Sequence, residues 1–237
     1  MKQLLCVLFI YASVCYGQNT APQAVGRQPQ NNPNLKDTNK KYAFFSFDIG
    51  IGIPQNNYGT ATNPVPSNEN QSYALTGIHS NISFGVFLTT KIAFVADFGV
   101  DINSADQALF AANNGGDAVG DYKVWQYMAG LRYQVVLKPK VNFRVQAMAG
   151  YLNVIYPSVS YINIGYSIPT GNGLGYSIGA GLEKMLNPDF GIAGNIVYTG
   201  GQTSYTSPNP YGIGVQLQNE TMWFGSIQIT VGAVVHL

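Results

Sequence analysis

Residues 222–237, MWFGSIQITVGAVVHL, decide the fold. Read with a period of two, one face carries Trp223, Gly225, Ile227, Ile229, Val231, Ala233, Val235 and Leu237. The other carries Phe224, Ser226, Gln228, Thr230, Gly232, Val234 and His236. Successive strand side chains point to opposite faces, so this stretch reads as one long strand with an apolar side and a mixed or polar side. That is the pattern of a strand that crosses a membrane as part of a barrel.

Working back toward the amino terminus, seven more strand-like runs appear, at 42–54, 73–88, 92–103, 122–137, 141–156, 173–186 and 190–201. Two of them set the phase. In the third run Ile92, Phe94, Ala96, Phe98, Val100 and Ile102 alternate with Ala93, Val95, Asp97, Gly99, Asp101 and Asn103. In the fifth, Val141, Phe143, Val145, Ala147, Ala149 and Tyr151 alternate with Asn142, Arg144, Gln146, Met148, Gly150 and Leu152. Placing Arg144 against lipid at mid-depth would cost roughly 2–4 kcal/mol, so the first set in each run faces out.

The connections alternate in length. Long Gly/Asn/Ser/Pro-rich segments fill 55–72, 104–121, 157–172 and 202–220, whereas tight turns fill 89–91, 138–140 and 187–189. Pro139 and Pro188 mark two of the turns. Long loops on one side and short turns on the other are the outer-membrane pattern, with the loops outside the cell and both termini in the periplasm. Outward aromatics gather near strand ends: Trp125, Tyr127, Tyr151, Tyr198 and Trp223 toward the loops, and Phe45, Phe94, Tyr133, Phe143 and Phe190 toward the turns. Such rings favour the water–lipid boundary and form a girdle there.

Composition narrows the alternatives. Charged residues make up 10% of the chain, against roughly 25% in soluble domains. Residues 1–17 read as a secretory signal, with Lys2 at its start, an apolar run at 4–12 and Cys15-Tyr16-Gly17 before the cleavage point. Both cysteines, Cys6 and Cys15, lie within it, so the mature chain has no thiol chemistry. Without Lys2 the 12 basic residues fall to 11, against 11 acidic ones, which gives no nucleic-acid footprint. Residues 18–41 are rich in Asn, Gln and Pro and read as a flexible periplasmic extension; the barrel spans 42–237.

On these features the chain resembles the eight-stranded outer-membrane β-barrels of Gram-negative bacteria, the OmpA-like and OmpX-like group. The expected fold is all-β, an eight-stranded antiparallel up-and-down transmembrane barrel. One local motif matches the group's carboxyl-terminal assembly signal, at Thr230, Gly232, Val235 and Leu237, with Leu237 where the family usually ends in Phe. The resemblance implies the barrel-assembly machinery as a partner, and outer-membrane lipid and lipopolysaccharide as surroundings.

Inward positions carry Asp48, Asp97, Asp101, Arg132, Arg144 and Glu183. An eight-stranded lumen is just filled by side chains, so buried charges there must pair. Counting heights from the turns, Asp97 is expected to pair with Arg132 and Arg144 with Glu183. Chemistry is sparse elsewhere. The chain has only two histidines, and His79 and Ser80 are adjacent, so a strand would turn them to opposite faces. No catalytic residue, cofactor or metal is expected. The loops, with Tyr58, Tyr161, Tyr166, Tyr205 and Tyr211 as contact residues and Glu69, Asp106, Asp117 and Glu220 as sparse acids, are the expected binding surface for a host or cell-surface ligand. The expected role is non-enzymatic, structural or adhesin-like, with a narrow pore for ions or small solutes as the alternative and lipid modification as a remote one.

Overall fold

The computed structural model describes residues 41–59, 73–114, 117–161, 164–166, 170–208 and 217–237. The signal segment, most of the 18–41 extension, Glu69 and Tyr211 lie outside the described residues, as do the side chains of Tyr161, Tyr166, Tyr205 and Glu220.

Eight long strands close into an antiparallel barrel: β1 (Ala43–Gln55), β2 (Gly77–Phe87), β3 (Ile92–Asn103), β5 (Tyr122–Lys138), β6 (Val141–Ile155), β9 (Gly171–Met185), β10 (Phe190–Pro208) and β11 (Leu217–His236). Each pairs with its neighbour in the chain, and β11 returns to β1 in a register running from Phe44↔His236 to Gln55↔Gly225. The Tyr42 amide donates to the Leu237 carbonyl at 2.9 Å and completes the seam. Closure leaves no free edge within the barrel wall, which is what allows such a sheet to sit in lipid.

The phase read from the sequence is the one adopted. Along β3 the odd set Ala93, Val95, Gly99, Asp101 and Asn103 turns in, whereas the even set from Ile92 to Ile102 turns out. The outer wall is predominantly apolar. Ile178, Leu182, Ile196 and Val231 are each more than half exposed. A soluble protein would bury these groups, each worth about 1.5–3 kcal/mol; an exposed apolar band of this kind suits acyl chains.

The tight turns carry their own chemistry. Thr89 Oγ1 accepts from the Ile92 amide at 3.0 Å, and Asn187 Oδ1 accepts from the Phe190 amide at 2.7 Å. Lys140 takes a left-handed backbone with φ 67°. Side-chain acceptors of this kind close short turns without help from the rest of the fold.

The loop end differs from its sequence reading. The last hairpin is longer than expected, because β10 and β11 stay paired out to Pro208↔Leu217. The segment read as a connection at 202–220 is therefore mostly strand. Conversely, β2 begins at Gly77, four residues after the expected start; Tyr73 takes a positive φ of 55°, which a strand cannot continue. The long connections are also organised. They contain a 3-10 turn (Asn56–Tyr58), helix α1 (Gln107–Asn114) and a small sheet of β4 (Asp117–Val119), β7 (Ser158–Tyr161) and β8 (Ile164–Tyr166). The Gln107 side chain ties helix to sheet by donating to the Ala118 carbonyl and accepting from the Ala118 amide, at 3.0 and 3.1 Å. Asp106 starts the helix by accepting from the Leu109 amide at 3.2 Å.

Candidate functional site

The lumen is filled in three layers from the turn end upward. The lowest is an ion network. Arg144 donates from Nη1 to Glu183 Oε2 at 3.2 Å and, from Nε and Nη2, to Asn195 Oδ1 at 3.1 and 2.7 Å. Asn195 passes the link on, donating to Asp48 Oδ1 at 2.9 Å. On its other oxygen Glu183 meets His236 Nε2 at 2.6 Å. Five strands are thereby tied from the inside: β6, β9, β10, β1 and β11.

The expected pair of Asp97 and Arg132 is not formed. Arg132 instead forks onto Gln146 Oε1, at 3.1 and 2.8 Å, and lies 4.4 Å over the Phe44 ring. The reason is stagger. Asp97 is in register with Met128 and Arg132 with Ala93, four residues apart along β5. That separation is about 13 Å at strand rise, so counting from the turns misplaces the partners. The same stagger is only two residues for Arg144 and Glu183, whose register partners are Gly181 and Asn142, and these long side chains span it.

The middle layer centres on Asp101, which is fully buried. Its Oδ1 is 2.6 Å from His79 Nδ1, and its Oδ2 accepts from Gln126 and Gln228 at 2.7 and 3.2 Å. Thr199 continues the chain by donating to Gln228 Oε1 at 3.3 Å. His79 was absent from the sequence-derived set, yet His79↔Asp101 is a direct register pair of β2 and β3. Two inward residues at equal height on adjacent strands was the available signal. Between the two polar layers lies a chamber of about 30 Å³, lined by Asn81, Asp97, Ser177 and their neighbours. It has room for one or two water molecules. Asn81 Oδ1, Asp97 Oδ1 and Ser177 Oγ find no hydrogen-bond partner among the described residues.

The top layer is aromatic and comes partly from a loop. Tyr58 reaches back over the barrel mouth and is completely buried. Its ring packs on Phe224 at 4.8 Å and edge-on to Tyr122 at 5.7 Å. Tyr122 in turn meets Tyr156 at 6.1 Å. The Tyr58 hydroxyl donates to Asn103 Oδ1 at 3.1 Å; burial, with the Asp101 charge adding, holds that phenol well above its ordinary pKa and keeps it a donor. Asn103 is itself held by its amide donating to the Leu75 and Gly52 carbonyls, at 2.8 and 3.2 Å.

Outside, Trp125 stacks on Phe98 at 5.5 Å, Phe98 touches Tyr127 at 5.2 Å, and Tyr127 touches Tyr151 at 6.3 Å. Tyr198 joins Tyr176 at 6.1 Å, and its hydroxyl accepts from the Asn56 amide group at 3.1 Å. Trp223 is exposed at the same end of β11, and Tyr133 is exposed near the turn end of β5. Of the carboxyl-terminal motif, Thr230 turns inward and Leu237 is exposed, with Val235 paired to Phe45 and Phe190. Gly232 has a packing reason to be glycine: a Cβ there would land on the Phe47 carbonyl and 2.7 Å from the Asp48 carboxyl carbon.

A closed eight-stranded barrel with an apolar exterior and a charged, packed interior invites direct comparison. Neisserial surface protein A superposes with a TM-score of 0.51 and 16% identity, over 82% of this chain and 97% of that one. The chain has the fold of an eight-stranded outer-membrane barrel. Outer membrane protein OprG from Pseudomonas aeruginosa aligns at a TM-score of 0.49 and 12% identity, over 83% of this chain and 98% of its own. Neither a family model nor a curated protein matches the sequence. In outer-membrane barrels of this fold the turn end is the periplasmic rim and the loop end is the outer one.

Proposed function

We propose that this barrel is a non-enzymatic outer-membrane protein that presents its loops as a fixed surface for another molecule. The observation that carries the reading is Tyr58: a loop residue folds into the outer mouth and packs among Tyr122 and Phe224, sealing the lumen from above. Its partners extend into the loops, where Phe110 of α1 and Ala118 of β4 are buried with it in one cluster. A binding surface benefits from loops that are already ordered, since less entropy is lost when a partner docks. The buried His79–Asp101 pair supports a structural part rather than a catalytic one, because its remaining bonds are used by Gln126 and Gln228. The chain's insertion into lipid with lipopolysaccharide, and its delivery by the barrel-assembly machinery, belong to the same reading.

The narrow pore is the competing reading, and the polar chamber is what favours it. Planar-bilayer recording of the refolded wild type, alongside adhesion of bacteria expressing it, tests the two together. Silent bilayers and adhesion lost on replacing residues 104–121 with a short Gly/Ser link are the expected results. Stable discrete openings in the wild type, with adhesion unaffected by the loop replacement, would overturn the proposal.

A further inference from the structure

Lysine is unevenly placed on the barrel. Of the six lysines among the described residues, five lie at the periplasmic rim, Lys41, Lys91, Lys138, Lys140 and Lys184, whereas only Lys123 lies at the outer one. Lys41 is paired with Asp189. The other four occupy one arc of the rim: Lys91 just before β3, Lys138 at the end of β5, Lys140 in the turn before β6 and Lys184 near the end of β9. Lys138 and Lys184 both take Val141 as register partner, from opposite sides, so they stand about 10 Å apart across two strand spacings. Lys140 sits in the turn between them, its carbonyl accepting from the Met185 amide at 2.7 Å. Lys91 adjoins through its carbonyl, which accepts from the Gln134 amide at 2.8 Å.

No salt bridge is recorded for these four among the described residues. The carboxylate nearest in sequence, Glu183, turns into the lumen and is held by Arg144 and His236. Immediately above the arc the wall is bare hydrocarbon: Leu131, Val136, Leu137 and Leu182 are all exposed. At the outer rim the exposed acids Asp117 and Asp121 oppose Lys123 instead. Lys140 adds a second point, because a left-handed backbone disfavours a residue with a Cβ by roughly 1–2 kcal/mol, yet a cation occupies it.

We propose that this arc binds the phosphate headgroups of anionic phospholipids in the periplasmic leaflet, with their chains lying on the leucines above. It rests on the barrel's position in a bilayer and is independent of what the loops bind. A phosphate bridging Lys138 and Lys184 gains two charge-assisted contacts and covers exposed apolar wall in the same step. A soluble acidic partner would leave those leucines uncovered.

The test uses the full chain refolded into bilayers, with insertion verified by heat-modifiable gel mobility. Electron spin resonance of spin-labelled phosphatidylglycerol and phosphatidylcholine gives the relative association of each lipid with the barrel. A lysine near an anionic surface favours it about fivefold, and averaging over all wall sites brings the expected wild-type preference to roughly twofold or more. The combined variant Lys138→Gln, Lys140→Gln, Lys184→Gln should remove the preference, and Lys123→Gln should keep it. Should the combined variant fail to insert, salt at about 1 M, where the Debye length is about 3 Å, should erase the preference in the wild type. Equal association of both lipids with the wild type, or a preference that Lys123→Gln removes equally, would overturn the proposal. So would retention on isolated peptidoglycan that needs the three lysines, without any lipid preference.

Discussion

Arg144→Met is the perturbation that most directly probes the interior. The guanidinium makes three hydrogen bonds, one to Glu183 and two to Asn195, and through Asn195 it reaches Asp48. Methionine keeps most of the apolar stem, so the change removes charge and donors with little loss of volume. Glu183 is then left buried with His236 as its sole remaining partner among the described residues. Removing one member of a buried pair typically costs about 3–5 kcal/mol, mostly because the other charge stays behind unpaired. Adding Glu183→Gln neutralises that orphan, so the double variant should recover at least about 2 kcal/mol relative to additivity. Reversible urea unfolding from lipid vesicles gives the free energies. Trp125 and Trp223 stand on the outer wall, where emission follows transfer from lipid to water. A loss below about 1 kcal/mol for Arg144→Met, or strict additivity in the double variant, would refute the reasoning that this pair is the interior tie.

Four further outcomes follow from the same geometry. Asp97→Asn should cost less than about 1 kcal/mol in that unfolding assay, because no ion pair with Arg132 exists to break; a loss equal to that of Arg144→Met would show the pair forms after all. Asp101→Asn should cost more, about 2–3 kcal/mol, since the carboxylate accepts from His79, Gln126 and Gln228. Gly232→Ala should lower stability by roughly 1–3 kcal/mol through collision with Phe47 and Asp48, exceeding the loss from Thr230→Ala; the reverse order would place the motif's weight on recognition rather than packing. Tyr58→Ala should cost about 3–5 kcal/mol for the vacated, fully buried ring, while conductance stays silent because the two polar layers beneath remain filled; channel openings in this variant would identify Tyr58 as a gate.

What the sequence determined by itself was local and periodic. Which face of each strand meets lipid follows from alternation, because a one-residue slip would put Arg144 in the acyl chains. The strands at 92–103 and 141–155 were legible almost to the residue, since turn chemistry at Thr89 and Lys140 bounds them. The tertiary structure alone decided who meets whom. Closing eight strands into a ring imposes a stagger between neighbours, and that stagger carries Arg132 four residues away from Asp97 while leaving Arg144 within reach of Glu183. The same closure brings Gln228 of β11 onto Asp101 of β3, 127 positions away in the chain. Loop composition indicated connections, yet Tyr58 enters the barrel mouth only because Phe224, Tyr122 and Asn103 converge there from three different strands. Alternation is a property of each strand alone, whereas these contacts exist only once the shear of the closed barrel is set.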